Sequence, residues 1–166
     1  LFITKDEGAM ESLNANLNLQ QFFPLDLRIQ DVLTTEDTVY IQMKSNTKDY
    51  ICPKCKKKIT KYHAVHKRKV QDLPILGKRT ILMINLYEFN CDNTECDCIS
   101  TTENFDGFLN GYSRMTERLV DFITDLALET SCEGAARIMN SMNIKISGDT
   151  VIRTLIKRFD KQPVPS

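Results

Sequence analysis

Four cysteines, arranged as two pairs, are the residues best suited to chemistry in this sequence. Two residues separate Cys52 from Cys55, and four separate Cys91 from Cys96. Four thiolates at about 2.3 Å around a tetrahedral ion make a closed structural zinc site, which offers no open position to a substrate. Residues 56–90 are long enough to form two strands and a turn, which would return the second pair to the first. The spacing therefore predicts one structural Zn²⁺ ion that stabilises the fold.

Further thiols leave part of this prediction open. Cys98 lies two residues beyond Cys96 and can replace it as the fourth ligand. A redox function of the Cys52–Cys55 pair is the alternative to zinc, but that motif requires a helix after it. Here Lys56-Lys57-Lys58 and a strand-like run follow instead. Cys132 lies in a predicted helix and is interpreted as a free, buried thiol.

The two histidines, His63 and His66, are three residues apart in a strand-like run. Residues three apart in a regular strand point to opposite faces of the sheet. We therefore expect surface or groove-facing imidazoles rather than a shared metal ion.

Positive charge is concentrated after the first cysteine pair. The chain is neutral overall, with 22 basic and 22 acidic residues, yet Ile51 to Gln71 contains eight basic residues and no acid. Some of this charge balances the negative four-thiolate site, and a plain solvated face is the alternative for the rest. The excess favours contact with the phosphates of double-stranded DNA. The predicted contacts are Lys56, Lys57, Lys58, Lys67, Arg68 and Lys69.

The elements that position these residues are strands first and helices later. Apolar alternation predicts a β-hairpin over about 26–45 and two strands over about 59–71 and 79–90, with a turn at Pro74–Gly77. A short helix is predicted over 10–23. The expected fold class is α+β, with a small zinc-ribbon-like antiparallel β module followed by a three-helix helix-turn-helix module. The expected boundaries are 1–9 (vector-derived or disordered), 10–105 (β module), 112–161 (helical module) and 162–166 (tail).

Three helices are predicted after the linker that contains Gly107 and Gly111. The first carries an apolar face from Met115 to Leu126. The second begins at Thr130, with Glu133 completing a capping box, and ends at Asn143, which tolerates a left-handed conformation. The third begins at Ser147, and its predicted buried face consists of Val151, Ile152, Leu155, Ile156 and Phe159.

The second and third helices have the proportions of a helix-turn-helix, in which the later helix lies in the major groove of DNA. Arg153 is expected to read guanine, whereas Thr150 and Lys157 are expected to hold phosphates. Ser147 and Asp149, at the start of this helix, complete the predicted DNA contacts. A three-helix bundle without any DNA contact is the alternative.

These residues resemble the N-terminal region of bacterial insertion-sequence transposases of the ISL-three type. The likeness extends over roughly 25–165. It rests on the order in which several short segments occur along the chain, because each segment alone is weak evidence for the family. The segments are Cys52-Pro53-Lys54-Cys55, His63, Arg68, Asp72-Leu73-Pro74-Ile75-Leu76-Gly77, Phe89-Asn90-Cys91, Cys96, Tyr112-Ser113-Arg114-Met115-Thr116-Glu117-Arg118-Leu119, Ile146-Ser147, Thr150-Val151 and Arg153. The departures are Asn143, where the family usually has glycine, and the extra thiol of Cys98.

The resemblance implies a DNA-binding fragment that recognises the terminal inverted repeats of its insertion sequence. In the family, an RNase H-like catalytic domain with an acidic triad follows. The sequence ends at Ser166, about where that domain would begin, so this chain alone is not expected to cut or join DNA. A stand-alone transcriptional regulator or interaction module is the alternative. A thiol oxidoreductase or nuclease is disfavoured, because one zinc would occupy the thiols and no carboxylate cluster has catalytic spacing.

Length and composition limit the domain size and the cellular location that we expect for this protein. A chain of 166 residues with 42% hydrophobic and 27% charged side chains fits one ordinary domain or two small ones. The longest aliphatic run, Ile81–Ile84, is far shorter than the ~20 residues of a membrane span. With no signal peptide recognised, we expect a cytoplasmic, nucleoid-associated protein with reduced thiols and no membrane partner. Whether it forms a homodimer stays open.

Overall fold

The computed structural model describes residues 18–160. The assignments of 1–9 and 162–166, and most of the helix predicted over 10–23, lie outside the described residues. Within them, Leu19–Phe22 form a single 3₁₀ turn. Asn18 caps this turn, because its side chain accepts a hydrogen bond from the Gln20 backbone at 3.1 Å.

The strands confirm both predicted hairpins. The first pairs β1 (Leu27–Thr34) with β2 (Thr38–Ser45), and the second pairs β5 (Tyr62–Ile75) with β6 (Lys78–Asn90). Both pairs are antiparallel, and Leu76 and Gly77 lie between the two long strands. Both turn residues have positive φ, 49° and 78°, as a tight hairpin turn requires. The remaining strands are β3 (Tyr50–Ile51), β4 (Lys58–Ile59) and β7 (Ser100–Thr102).

The five-stranded sheet has the order β1-β2-β6-β5, and β7 also pairs with β6. The expected α+β class is correct, but the sheet is mixed rather than antiparallel, because β2 and β6 run parallel. The physical reason is the length of the chain that connects β2 to β6. The chain between β2 and β6 contains the first cysteine pair and β5, so it is long enough for a parallel crossover. The small β3–β4 pair forms a separate antiparallel ribbon.

One face of the sheet is covered by the segment that follows β7. Ile41, Leu82 and Val70 lie on neighbouring strands of this face and are buried. Phe105 and Phe108, which follow β7, pack onto the same cluster. This packing removes apolar surface from water and gives the sheet its main core.

The three predicted helices are present as α1 (Glu117–Glu129), α2 (Cys132–Ser141) and α3 (Gly148–Phe159). Ser147 caps α3 as predicted, since its side chain accepts a hydrogen bond from the Thr150 N–H. The cap of α2 is Ser131, which bonds the Gly134 N–H at 3.0 Å, so the prediction of Thr130 was wrong by one residue. The Thr130 hydroxyl instead donates to the Leu126 carbonyl at the end of α1.

Asn143 has φ 63°, which confirms its predicted left-handed conformation after α2. Its side-chain amide donates to the Gly77 carbonyl, so the turn between α2 and α3 contacts the β5–β6 turn.

The buried face of α3 is narrower than its sequence predicted. Val151 is fully buried, whereas Ile152, Ile156 and Phe159 are exposed. The helix packs against α1 and α2 on one side. Within residues 18–160, no further element covers its opposite side.

Candidate functional site: the metal centre and a basic surface

Cys52, Cys55, Cys91 and Cys96 come together with all four sulfur atoms within 4.8 Å of one another. The Sγ atoms of Cys52 and Cys96 are 3.8 Å apart, and those of Cys55 and Cys91 are 3.5 Å apart. Ligands about 2.3 Å from a tetrahedral ion are separated by about 3.8 Å. The cluster therefore fits one structural zinc ion, as the spacing predicted.

The first pair lies in a tight turn between β3 and β4. The Cys52 N–H donates to the Lys57 carbonyl at 2.9 Å, and the Lys56 N–H donates to the Cys52 carbonyl at 3.0 Å. Lys56 has φ 61°, a left-handed conformation that glycine adopts more readily. The turn aims both thiols at the same point.

The second pair follows β6. The Cys96 N–H donates to the Asn93 carbonyl at 2.9 Å and closes the turn that returns Cys96 towards Cys91. The Cys98 N–H donates to the Cys96 sulfur at 3.4 Å, which fixes the direction of the Cys96 side chain. The Cys98 thiol itself is directed to the Ser100 carbonyl, at 3.9 Å. Cys96 rather than Cys98 thus completes the ligand set.

Backbone N–H groups prepare the first pair for metal binding. The backbone N–H of Cys55, together with that of Lys54, lowers the pKa of Cys52 to about 6. The backbone N–H of Lys57 lowers the pKa of Cys55. The Asn93 N–H acts in the same direction on Cys91, but desolvation and the neighbouring thiols outweigh it and raise the pKa of Cys91 to about 12. Deprotonation of all four thiols therefore requires a bound cation that neutralises their negative charge.

Aromatic side chains anchor the metal centre to the end of the sheet. Tyr50 stacks on Phe89 with ring centroids 5.1 Å apart, and Tyr62 stacks on Tyr87 at 4.6 Å. Ile59 is buried in the same cluster. This cluster is separate from the main core, so the ion and a few aromatic rings hold the small ribbon in place.

The basic residues predicted to bind DNA fall into several groups. Lys56, Lys57 and Lys58 lie exposed beside the metal centre, and Lys58 pairs with Asp49 at 2.7 Å. Lys67 and Lys69 are exposed on β5. Arg68 lies between them but on the opposite face, where it donates to the backbone carbonyls of Ser113 and Asn110. Burial lowers the pKa of Arg68, and its contacts position the 110–114 loop.

The residues predicted on α3 extend from its N-cap to its last turn. Asp149, Arg153 and Lys157 are exposed, whereas Thr150 is half-buried. Ser147 caps the helix and also contacts the Thr150 hydroxyl at 3.0 Å. Thr150, Arg153 and Lys157 line a groove of about 580 Å³ between α3 and the loop 110–115.

The same loop lines a second groove, of about 920 Å³, together with His66, Lys67 and Lys69. Gly111 to Arg114 border both grooves and connect the two basic regions. Tyr112 is 98% exposed and has φ 60°. The sequence interpretation did not assign Tyr112 or Arg114 a binding role. The only signal was an aromatic residue and an arginine shortly after Gly111, a pattern that also occurs in ordinary loops.

Both histidines are exposed. The His66 ring contacts the Glu88 carboxylate, and this hydrogen bond lowers the pKa of Glu88. Cys132 is half-buried against the helical core. In the described part of the chain, the four-cysteine cluster is the only group of three or more such side chains placed to hold a metal.

These features define a mixed α+β protein with a structural zinc ribbon. Residues 50–98 match the family described as the zinc-finger of transposase IS204/IS1001/IS1096/IS1165. The match contains both cysteine pairs and is limited to the zinc-binding segment, so the helices lie outside it. No curated protein and no solved structure matches the chain. Among residues 18–160, no helix is both long and apolar enough to cross a membrane.

Proposed function

We propose that this chain is the DNA-recognition part of an insertion-sequence transposase and binds the terminal inverted repeats of its element. The observation that carries the proposal is the groove between α3 and the 110–115 loop, which Thr150, Arg153 and Lys157 line. It adjoins a second groove along residues 66–69 of the edge strand β5, and this strand carries the exposed side chains of Lys67 and Lys69 on its other face. A duplex at these grooves meets base-reading and phosphate-binding side chains together.

Within this proposal, α2 and α3 act as a helix-turn-helix. Arg153 is exposed on α3, and within residues 18–160 its guanidinium has no hydrogen-bond partner and no ion pair. It is therefore free to donate two hydrogen bonds to the O6 and N7 of guanine. Thr150 and Lys157 lie one turn to either side and contact phosphates. Cleavage and joining belong to a separate RNase H-like domain of the parent transposase.

The zinc ion contributes indirectly. It holds the β3–β4 ribbon against Phe89, at the end of the same strand pair that carries Lys67 and Lys69. Closed coordination by four sulfurs leaves it no open position for a reaction. Its role is to keep Lys56 and Lys57 at a constant position beside the sheet.

The test is a binding-site selection with the zinc-loaded chain, followed by comparison of the selected site with the ends of the element that encodes it. We expect the selected site to lie in the terminal repeats, and affinity to fall steeply with salt because phosphate contacts release counterions. Equal affinity for the repeats and for a scrambled duplex would refute the proposal. A selected site in a promoter would favour a regulator instead.

A further inference from the structure

The sheet has a second face, opposite the main core, on which residues distant in sequence form one row. Arg28 pairs with Lys44, Lys44 with Asn85, and Asn85 with Lys67. Directly paired residues of neighbouring strands present their side chains on the same face. Lys69, two residues beyond Lys67, lies on this face as well. Four cations, from β1, β2 and β5, thus lie on the same face of the sheet.

These cations are not neutralised within the described residues. Arg28, Lys44, Lys67 and Lys69 are all exposed. Across residues 18–160, none of their side chains has an ion pair or a hydrogen bond to the protein. Asp26, two residues before Arg28, forms no ion pair within residues 18–160. The other nearby acid is Asp31, which pairs with Gln42 in the next row. Its carboxylate accepts a hydrogen bond from the Val32 backbone at 2.9 Å.

Stability does not explain this arrangement. Like charges directly opposite each other on neighbouring strands destabilise a sheet, and Arg28 lies opposite Lys44. A bound polyanion would remove the repulsion. Strands are about 4.8 Å apart, so Arg28 and Lys67 are separated by roughly 14 Å across three strand intervals. That distance is close to the width of the major groove of DNA, about 12 Å.

We propose that the open sheet face formed by Arg28, Lys44, Lys67 and Lys69 binds the phosphate backbone of duplex DNA next to the segment that α3 reads. This inference rests on the proposed function and adds the first hairpin, which precedes the zinc ribbon, to the DNA-binding surface. Arg28 and Lys44 contact phosphates only, so they increase affinity for every sequence alike.

The experiment measures the salt dependence of binding to a mixed-sequence duplex of about 30 base pairs, because phosphate contacts do not depend on sequence. Removing one phosphate-binding side chain lowers the slope of log affinity against log salt by about 0.9. We expect Lys44→Gln to lower the slope by about 0.9, and Arg28→Gln with Lys44→Gln to lower it by about 1.8. Lys48→Gln is the matched control, an exposed lysine in the loop after β2.

A second measurement tests whether the charges on this face repel one another in the free protein. Without DNA, Arg28→Gln should raise the melting temperature, because it removes the repulsion with Lys44. If wild type and the double variant bind the duplex with the same slope, the sheet face is not a DNA surface, and the proposed function stands. If Lys48→Gln lowers the slope as much as Lys44→Gln, net charge explains the effect, and the inference is wrong. If the wild-type chain binds no duplex, both proposals fail.

Discussion

Asp72 on β5 and Arg118 on α1 form an ion pair that joins the sheet to the helices. The Nε of Arg118 donates to Oδ1 of Asp72 at 2.8 Å, and its Nη2 donates to the other carboxylate oxygen. Asp72 is almost completely buried and also accepts a hydrogen bond from the Thr116 hydroxyl at 2.7 Å. The guanidinium lies 5.0 Å from the ring centroid of Phe23 and 5.3 Å from that of Phe108. One arginine therefore connects the start of α1 to the core of the sheet.

Replacing Asp72 with alanine should destabilise the junction between sheet and helices. The change leaves Arg118 without its carboxylate and Thr116 without an acceptor. Removing one partner of a buried ion pair costs about 3–5 kcal/mol, and since Arg118 keeps access to solvent we expect about 2–3 kcal/mol. Urea unfolding monitored by circular dichroism measures the difference.

The matched control for that junction is Arg158→Ala. Arg158 on α3 pairs with Glu117, at 3.3 Å, and with Asp121 on the surface of α1. Exposed pairs contribute at most about 1 kcal/mol. If Asp72→Ala destabilises the chain no more than Arg158→Ala does, the junction does not depend on the buried pair.

Metal content should distinguish the ligand Cys91 from its neighbour Cys98. Cys91→Ser removes one of four sulfurs, so the purified chain should lose its zinc and the ribbon of residues 50–98 should unfold. Cys98→Ser should retain one zinc per chain, because its thiol is directed to the Ser100 carbonyl. Native mass spectrometry counts the ions. A Cys98→Ser chain without zinc would show that the ligand set differs from the one described.

Arg153 should determine base preference, whereas Lys67 should not. Removing a bidentate hydrogen-bond pair to guanine costs about 1–3 kcal/mol at one base position. We therefore expect Arg153→Ala to relax selection at that position, as seen in a comparison of single-base variants of the preferred duplex. Lys67→Ala should weaken all duplexes by a similar factor and lower the salt slope by about 0.9. Identical selection profiles for wild type and Arg153→Ala would exclude base reading by this residue.

A single tryptophan at position 112 should report DNA binding at the loop between the grooves. The chain contains no tryptophan, so Tyr112→Trp introduces one fluorophore at a side chain that is 98% exposed. Contact with bases or the backbone should quench or shift its emission when a duplex is added. Leu128→Trp is the control, a position 62% exposed in the last turn of α1, away from the residues proposed to contact DNA. A change of equal size at both positions would contradict a contact at the loop.

The metal centre and the hairpins were predictable because their signals are local. The short spacings within each cysteine pair restrict the thiols to tight turns, whichever way the rest of the chain runs. Alternating apolar residues in β1 and β2, and the turn at Leu76 and Gly77, specify antiparallel neighbours directly. The positive φ of Asn143 was likewise predictable, because asparagine adopts that conformation more readily than most residues other than glycine.

Other features depend on contacts between distant parts of the chain. The extent of the exposed face of α3, with Ile152 and Ile156, depends on how many elements pack around it, and helical periodicity does not specify that number. The choice of Cys96 over Cys98 required the direction of each thiol. The row from Arg28 through Lys44 to Lys67 exists because β6 lies between β2 and β5 in one particular register. Pairing of non-adjacent strands is decided by the total burial that each register achieves. The residues of any single strand do not encode that sum, so only the tertiary structure placed these charges side by side.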